Sequence, residues 1–385
     1  MVYLDNAATS WPKPEGVLKA MERAIIEFGS NPGRGNHQGV LGASRVVFRT
    51  RELLAELFKV TDPNRIIFTA NATYAINIGI KGILKPGDHV ITSAMEHNSV
   101  WRPLKYLERS GIILEVMPCD NQGLLDPASI KKAIKRNTKL IVTTHASNVT
   151  GGIFPVSEIG KIAREHGIIY MVDAAQTAGV VPIDVEKMSI DLLAFPGHKG
   201  LLGPQGTGGL YVGPGVEMEP LIQGGTGSSS ELEVQPDVLP DKFESGTLNT
   251  VGIAGLGAGV EYIISQGIDK IRSREAELCA KLVEGIQDIP KIKIYGPQNQ
   301  FEKAPVVSIN FGQVDANEVG FILDRAFKIA VRTGLHCAPQ AHHTIGTIKQ
   351  GTVRFSPSSF NLDKDITSAV QALKEIAEEL QCGSD

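Results

Sequence analysis

The feature that most constrains the fold is an alternation of short apolar runs with helical patterns before residue 260. These runs lack strict alternation of apolar and polar residues, and they lie at 65–69, 89–92, 112–116, 140–143, 168–172 and 192–195. Such runs are typical of parallel strands that are covered on both faces. The pattern predicts a doubly wound α/β domain, in which ligands bind beyond the carboxyl ends of the strands.

Residues at the predicted helix ends support this alternation. Asp126 followed by Pro127 is typical of an N-cap and a first helical position. Ser157 predicts the N-cap of the next helix, and Gly167 predicts its left-handed C-terminal end. The sequence therefore indicates helices between the apolar runs.

The pattern changes after residue 260. We expect a long helix at 260–286, short strands at 305–310 and 351–356, and a C-terminal amphipathic helix. The apolar residues expected on one face of that last helix are Ile366, Val370, Leu373, Ile376, Ala377 and Leu380. Because 385 residues are many for a single core, we expect a large domain at 15–259 and a smaller α+β domain formed by 1–14 and 260–385.

Charge and cysteine content narrow the expected partners. A formal net charge of −4 gives no reason to expect nucleic acid or an acidic membrane as a partner. No apolar run approaches the ~20 residues that span a bilayer, and the N-terminus lacks the pattern of a secretory signal. The 4 cysteines, at positions 119, 279, 337 and 382, form no CxxC pair. We therefore expect a soluble cytoplasmic protein.

Lys199 and Asp173 are the strongest pair of candidate functional residues. Lys199 follows the predicted strand 192–195 in a glycine-rich turn, where lost solvation lowers the pKa of an amine and makes it nucleophilic. Asp173 follows the predicted strand 168–172, where a buried carboxylate requires a partner. The protonated ring nitrogen of pyridoxal phosphate (PLP) is such a partner. A surface lysine and a capping aspartate are the ordinary alternatives, but the pair together favours a PLP site.

Two further strand ends carry polar candidates. Thr73 precedes a helix predicted to begin near Tyr74, and N–H groups at a helix start can bind phosphate. His97 follows the predicted strand 89–92, where it can stack on the cofactor ring. Each signal is weak alone, because threonine caps and loop histidines are common.

Six short segments together resemble the class V aminotransferase superfamily. They are Tyr3-Leu4-Asp5-Asn6-Ala7-Ala8, Glu96-His97-Asn98, Ser147-Asn148-Val149-Thr150-Gly151, Asp173-Ala174-Ala175-Gln176, Gly197-His198-Lys199 and Arg332-Thr333-Gly334-Leu335-His336-Cys337-Ala338. Within the superfamily, the chain is most similar to cysteine desulfurases and selenocysteine lyases of group II. The resemblance implies a PLP-dependent transferase of fold type I that forms a homodimer with shared active sites.

The resemblance also implies roles for particular residues. Lys199 would form a Schiff base with the cofactor, Asp173 would meet the ring nitrogen, and His97 would stack on the ring. Gln176 would contact the phenolic oxygen of the ring. The residues implied near the phosphate are Ala72, Thr73, His198 and, from the other subunit, Thr247. The expected substrate-binding residues are Asn148, Arg332 and Arg354, and a guanidinium matches a carboxylate well.

Cys337 is the expected sulfur-handling residue, and with Lys199 and His97 it completes the expected catalytic set. Its thiolate would take sulfur from L-cysteine as a persulfide and release L-alanine, and the nearby Arg332 and His336 would favour the anion. The other cysteines read as small apolar residues. Zinc binding by His336, Cys337, His342 and His343 is an alternative, although these ligands are crowded.

Several alternatives remain open. A selenocysteine lyase would use the same site on L-selenocysteine. The acceptor could be an iron–sulfur scaffold, a tRNA-thiolation protein, a selenium pathway or a thiol reductant. Pro196, Leu335 and Ala72 depart from the family pattern, which leaves substrate and acceptor preference undecided. Another class V activity, such as transamination or kynurenine hydrolysis, is a further alternative, and Cys337 disfavours it because those reactions need no thiol. A dinucleotide-binding motif at 255–259 is disfavoured because no apolar strand precedes it.

Overall fold

The structure, a computed structural model, describes residues 1–33 and 37–382, with the backbone alone for 380–382. Its helices are Glu15–Glu27 (α1), Gln38–Phe58 (α2), Ala72–Ile83 (α3), Asn98–Glu108 (α4), Pro127–Ala133 (α5), Val156–Glu165 (α6), Thr250–Gln266 (α7), Ile268–Ile286 (α8), Ala316–Arg325 (α9), Pro339–Thr344 (α10) and Asp363–Cys382 (α11). Its strands are Val2–Tyr3 (β1), Ile66–Thr69 (β2), His89–Ser93 (β3), Ile113–Met117 (β4), Thr138–Thr144 (β5), Ile169–Asp173 (β6), Leu192–Pro196 (β7), Gly208–Val212 (β8), Ile292–Tyr295 (β9), Val307–Phe311 (β10), Ile329–Ala330 (β11), Arg332–Gly334 (β12) and Thr352–Phe355 (β13).

The central element is a 7-stranded sheet with the order β2-β8-β7-β6-β5-β3-β4. The strands from β7 to β4 pair in parallel, whereas β8 pairs antiparallel with both β7 and β2. All six predicted strands are present within a residue or two of their predicted ends. The sheet confirms the predicted α/β class, but β8 was not predicted.

Both faces of this sheet are buried, which explains why its strands lack polar alternation. On β7, Leu192 and Ala194 join a core with α3 and α4, while Leu193 and Phe195 join the core on the other face. Successive side chains of a strand point to opposite faces, so a strand covered on both sides is apolar at every position. The helices α2, α6 and α7 contribute to the second of these cores.

A separate core lies around a 4-stranded antiparallel sheet with the order β12-β13-β10-β9. It contains residues of α8, α9 and α11 together with Leu4 from the N-terminus. Of the residues expected on one face of α11, Val370 packs against this core, and Ile366, Leu373, Ile376 and Ala377 lie within it. The side chain of Leu380 lies outside the described residues. The division into domains at 15–259 stays a prediction.

The predicted helix at 260–286 is wrong in its extent. The chain forms two helices, α7 and α8, which meet at Gly267 with a bend of 85°. Gly267 has φ +82°, a conformation that glycine adopts without steric cost. Within the described residues, no single helix is long and apolar enough to cross a membrane, although the bent pair α7 and α8 passes on length and composition.

The glycine cluster at 255–259 lies inside α7 rather than before a helix. A Cβ on Gly257 would lie 2.5 Å from Thr50 Oγ1 of α2, and one on Gly259 would lie 2.5 Å from the Leu201 carbonyl oxygen. Glycine lowers helix stability, but at these two positions a larger residue would clash with the neighbouring chain. Close packing therefore explains the glycines. This location excludes the dinucleotide-binding alternative.

The predicted helix ends are partly confirmed. The Asp126 side chain accepts a hydrogen bond from the Ala128 N–H (2.9 Å), and Gly167 has φ +65°. The prediction for Ser157 is wrong, because α6 begins at Val156 after Pro155 and has no side-chain cap. The helix predicted to begin near Tyr74 begins at Ala72.

Candidate active site

The candidate residues lie at the carboxyl ends of neighbouring parallel strands. Asp173 ends β6, and it is paired in register with Thr144 of β5 and Ala194 of β7. His97 follows β3, and Lys199 follows β7. Because these strands run in the same direction, the three side chains meet at one edge of the sheet, as predicted.

Asp173 is a buried carboxylate with unused hydrogen-bonding capacity. Its side chain is 2% exposed. Its Oδ1 accepts from the Ala175 N–H (2.9 Å), whereas its Oδ2 has a long contact of 3.5 Å with Ser99 Oγ. Burial raises the pKa of Asp173, and the nearby Lys199 charge opposes that rise. The Oδ2 atom can therefore accept a stronger, cationic donor.

Lys199 lies in a tight turn beside this carboxylate. The Leu202 N–H donates to the Lys199 carbonyl (2.9 Å), and the Gly203 N–H donates to the Gly197 carbonyl (2.8 Å). Burial, and after it the positive charges of Arg354 and Arg332, lower the pKa of Lys199 to about 8, while the Asp173 carboxylate opposes them. The amine is thus more nucleophilic near neutral pH than an exposed lysine.

His97 is held in a defined orientation by a residue that sequence reasoning missed. Its Nδ1 accepts a hydrogen bond from the Ser99 N–H (3.0 Å) and lies 2.9 Å from the Ser99 hydroxyl. Burial lowers the pKa of His97 to about 4, with contributions from Lys199 and Arg332. The ring is therefore neutral at physiological pH, and Ser99 links it to Asp173.

The α3 N-terminus lies against the Lys199 turn. Gly208 pairs both with Thr69 of β2 and with Pro196 of β7. A Cβ on Gly208 would lie 2.8 Å from the Asn71 Cα, so only glycine permits this approach. Asn71 caps α3 by accepting from the Tyr74 N–H (3.0 Å), which leaves the N–H groups of the first helical residues, Ala72 and Thr73, without an intrahelical partner.

His198 lies against the N-terminal segment. Its carbonyl accepts from the Ser10 N–H (3.0 Å) and from Lys13 Nζ (2.9 Å). Its ring Nδ1 is buried without a hydrogen-bond partner, and burial lowers its pKa to about 4. Burial also lowers the pKa of Lys13 to about 8. Lys13 was not predicted, and its isolated position in the sequence carries no signal.

Arg354 is buried at the junction of the two sheets. Its Nη2 donates to Asp5 Oδ1 (2.9 Å), and its Nη1 donates to the Asn148 carbonyl (3.1 Å). Its Nε is buried without a partner. The structure therefore brings together the predicted residues Asn148 and Arg354, and it adds Asp5, which occurs in a quoted segment but was given no role.

Cys337 sits in a strained turn. His336 has φ +48° and Cys337 has φ +59°, and the Ala338 N–H donates to the Leu335 carbonyl (2.9 Å). Non-glycine residues rarely adopt such angles, and neighbouring contacts must hold them. The Asn98 N–H donates to the Cys337 carbonyl (2.8 Å), and Asn148 Nδ2 donates to the His336 carbonyl (2.7 Å). The turn presents an exposed thiol.

Arg332 is the charged neighbour of this thiol. Its Nη2 lies 3.5 Å from the Cys337 sulfur. The expected help from His336 is absent, because burial lowers its pKa far below the usual value, which keeps the ring neutral. Burial raises the pKa of both Cys119 and Cys279 to about 12, as suits apolar residues, and the Cys382 side chain lies outside the described residues.

The structure also locates the residues of the zinc alternative and the predicted cofactor contacts Gln176 and Thr247. In the described part of the chain, no three His, Cys, Asp or Glu residues are grouped to hold a metal ion, and His342 Nδ1 instead bonds to Thr347 Oγ1 (2.7 Å). Gln176 Nε2 donates to the Ala7 carbonyl (3.2 Å). Thr247 is exposed, and its hydroxyl accepts from Asn31 Nδ2 (3.2 Å).

Glu96 is a buried carboxyl group that should make folding stability depend on pH. Burial raises its pKa to about 8, although Ser93 and the Thr144 N–H lower it. Because the folded pKa exceeds the unfolded value, the stabilising contribution is fully present below the unfolded pKa and is lost as the pH rises to about 8. Glu96→Gln stays neutral, so its melting temperature should fall less than that of the wild type between pH 6 and pH 8.5.

Thermal melts at both pH values measure this difference. Glu158→Gln on the exposed face of α6 is the control, and it should follow the wild type. A Glu96→Gln protein that loses as much stability as the wild type at the higher pH would contradict the assignment.

Comparisons with known proteins agree with this geometry. The family model described as aminotransferase class-V matches residues 2–368. A probable cysteine desulfurase of Methanothermobacter thermautotrophicus is 39% identical over 98% of this chain and 94% of its own length. Another, from Pyrococcus abyssi, is 37% identical over 99% of this chain and 95% of its own length. The apo structure of a cysteine desulfurase from Thermococcus onnurineus NA1 superimposes with a TM-score of 0.92 at 34% identity, covering 98% of this chain and 95% of that one.

Proposed function

This chain belongs to the class V aminotransferase family, and we propose that it is a PLP-dependent cysteine desulfurase that converts L-cysteine to L-alanine and keeps the sulfur on Cys337 as a persulfide. One observation carries the proposal. The exposed Cys337 thiol has Arg332 as its charged neighbour, and Arg332 also acts on the amine of Lys199. A nucleophilic amine and a thiol thus share one charged site, which transamination would not require.

The residues present fit PLP. Asp173 Oδ2, with one long contact to Ser99, keeps the capacity to accept a bond from the cationic ring nitrogen, and the Lys199 amine lies close enough for the charges of the two groups to interact. The unpartnered His198 Nδ1 and the open N-terminus of α3 suit a phosphate group. The other proposed cofactor contacts are Ala72, Thr73, His97, Gln176 and Thr247. When bound, PLP supplies an electron sink for negative charge at the substrate α-carbon.

Lys199 is the proposed carrier of the substrate proton. With its pKa lowered to about 8, a sizeable fraction of the amine is neutral near neutral pH. A neutral amine can accept a proton from the substrate α-carbon, and the resulting ammonium can return it. The neutral His97 ring adds no competing charge beside this step.

Arg354 and Asn148 are the proposed site for the substrate carboxylate. Asp5 and the Asn148 carbonyl each take one donor of the Arg354 guanidinium, which has five. These two bonds fix the plane of the guanidinium, and the remaining donors can bind a carboxylate. Asp5 therefore orients Arg354 and leaves most of its N–H donors available for the substrate carboxylate.

Cys337 is the proposed sulfur acceptor within the protein. Its thiolate attacks the sulfur of the substrate and forms a new S–S bond. The bond between the substrate β-carbon and sulfur breaks, and its electron pair stays with the carbon skeleton, which is protonated and leaves as alanine. Arg332, beside the Cys337 sulfur, is placed to stabilise negative charge on the persulfide.

A homodimer is the proposed assembly. Large apolar side chains are exposed on α1 and the first half of α2, namely Leu18, Ile25, Ile26, Leu41 and Phe48. Several large exposed apolar side chains on two neighbouring helices are consistent with a protein interface. The exposed Thr247 is the residue proposed to contact the phosphate site of the other subunit. The proposed compartment is the reducing cytoplasm, where a sulfur-acceptor protein, for example in iron–sulfur cluster assembly, would take the persulfide sulfur.

Turnover assays on L-cysteine and L-selenocysteine test the proposed function. We expect alanine and sulfide in equal amounts from L-cysteine when a thiol reductant is present to release the persulfide sulfur. A protein that releases selenide from L-selenocysteine but no sulfide from L-cysteine would be a selenocysteine lyase. A protein that forms no alanine from either substrate would contradict the proposal.

A further inference from the structure

Arg51 and Glu244 form a buried ion pair, and neither residue has a proposed contact with the cofactor or the substrate. Arg51 lies on α2, Glu244 lies in the segment between β8 and α7, and the two side chains are 4% and 5% exposed. Arg51 Nη2 bonds to Glu244 Oε2, and the guanidinium carbon lies 4.5 Å from the centre of the Phe68 ring. Burying two charges is costly, so we looked to the backbone groups that the pair contacts for its role.

The pair completes the free edge of the central sheet. The edge strand β2 pairs with β8 on one side only. On its other side, Arg51 Nη1 donates to the Ile66 carbonyl, and Glu244 Oε1 accepts from the Phe68 N–H (2.5 Å). One donor and one acceptor thus replace a missing neighbouring strand. The backbone of β2 is held in place up to Phe68.

Two proposed phosphate-binding elements extend from this point. The strand β2 ends at Thr69 and leads directly into the α3 N-terminus, with the open N–H groups of Ala72 and Thr73. Glu244 is followed by Ser245, Gly246 and Thr247, of which Gly246 and Thr247 are exposed. Thr247 itself is held by a single side-chain bond, from Asn31. The residues that lead to it are held by two further bonds, from the Gly246 N–H to the Gly225 carbonyl (2.9 Å) and from Ser245 Oγ to the Ile222 carbonyl (3.2 Å). Glu244 is the buried end of this segment.

We propose that Arg51 and Glu244 are positioning residues that align two phosphate-binding elements, the α3 N-terminus of their own subunit and the Thr247 loop that serves the partner subunit. This inference rests on the proposed function. The Thr247 loop is the segment 245–247 that follows Glu244. In a dimer, one Arg51–Glu244 pair would position β2 for the site of its own subunit and the Thr247 loop for the site of the partner subunit. Loss of the pair should weaken contacts to the cofactor phosphate and leave contacts to the cofactor ring unchanged.

Comparing PLP with pyridoxal, which lacks the phosphate, tests this inference. Glu244→Ala leaves Arg51 without a partner and risks unfolding, so Glu244→Gln, which keeps an acceptor for the Phe68 N–H, is the main variant. We expect Glu244→Gln to raise the Kd of the apoenzyme for PLP about tenfold, the scale of one charge-assisted hydrogen bond. The Kd for pyridoxal should change by less than roughly threefold. Hydrogen exchange at the Phe68 amide should be faster.

Asp191→Asn is the matched control. Asp191 Oδ2 also accepts from a strand N–H, that of Tyr170 (2.8 Å), but at the opposite end of the sheet. It should lower thermal stability without changing the ratio of the two Kd values. An unchanged ratio in Glu244→Gln, or an equal loss of both ligands, would overturn the inference. A wild-type protein that binds neither ligand would instead overturn the proposed function, and the inference with it.

Discussion

Replacing Cys337 with alanine should abolish sulfide release from L-cysteine, with a loss of turnover of at least ~10³-fold, because removal of a catalytic nucleophile can cost about 10⁶-fold in turnover. Without the thiol, no other group among the described residues is proposed to take the substrate sulfur. The cofactor contacts do not include Cys337, so the absorbance of bound PLP should match that of the wild type. Sulfide measured over time, with PLP absorbance recorded on the same samples, gives both quantities.

Cys119→Ala is the matched control for this experiment. Cys119 is partly buried, and burial raises its pKa to about 12, so its removal should leave turnover unchanged. Undiminished sulfide release from Cys337→Ala would refute the assignment of Cys337. Loss of PLP absorbance in that variant would show that the Cys337 turn is needed for the fold of the cofactor site.

Replacing Lys199 with arginine should abolish covalent attachment of the cofactor and lower turnover by on the order of 10³-fold, within the range for loss of a general base. Arginine keeps the positive charge between Asp173 and Arg354 but cannot serve as a neutral amine near neutral pH. Borohydride reduction of the wild type followed by peptide mass spectrometry should locate the pyridoxyl group on Lys199. The variant should carry none.

Lys303→Met is the control that shows whether the loss of any buried lysine lowers turnover. Burial also lowers the pKa of Lys303 to about 8, and its Nζ has no hydrogen-bond partner among the described residues. Lys303 has no proposed contact with cofactor or substrate, so turnover should persist in this variant. A pyridoxyl group found on Lys303, or full turnover by Lys199→Arg, would refute the role of Lys199.

The sequence predicted the strand ends well because one physical rule governs them. A strand covered on both faces must be apolar throughout, so a polar residue that follows such a run marks its end. That rule located His97, Asp173 and Lys199 at one edge of the sheet, where the structure has them. The rule missed β8, because the glycines at the start of that strand are typical of a loop. In the structure, Gly208 permits the close approach of Asn71.

Long-range partners were beyond sequence reasoning. Arg354 and Asp5 are 349 positions apart, and Arg51 and Glu244 are 193 apart. Nothing in the local pattern around either pair distinguishes it from exposed charges. The glycines inside α7 were misread for a related reason, since their use lies in packing against Thr50 and Leu201 rather than in local turn geometry.

By itself, the sequence determined the α/β class, the order of the strands along the chain and the residue types available at their ends, because burial on two faces dictates local composition. Only the tertiary structure decided which groups pair and how Cys337 is presented. Its left-handed turn is unfavourable for the residues that form it, and it persists because Asn98 and Asn148, from other strand ends, bond to its carbonyls. Such strain is a property of the assembled fold and leaves no local signature.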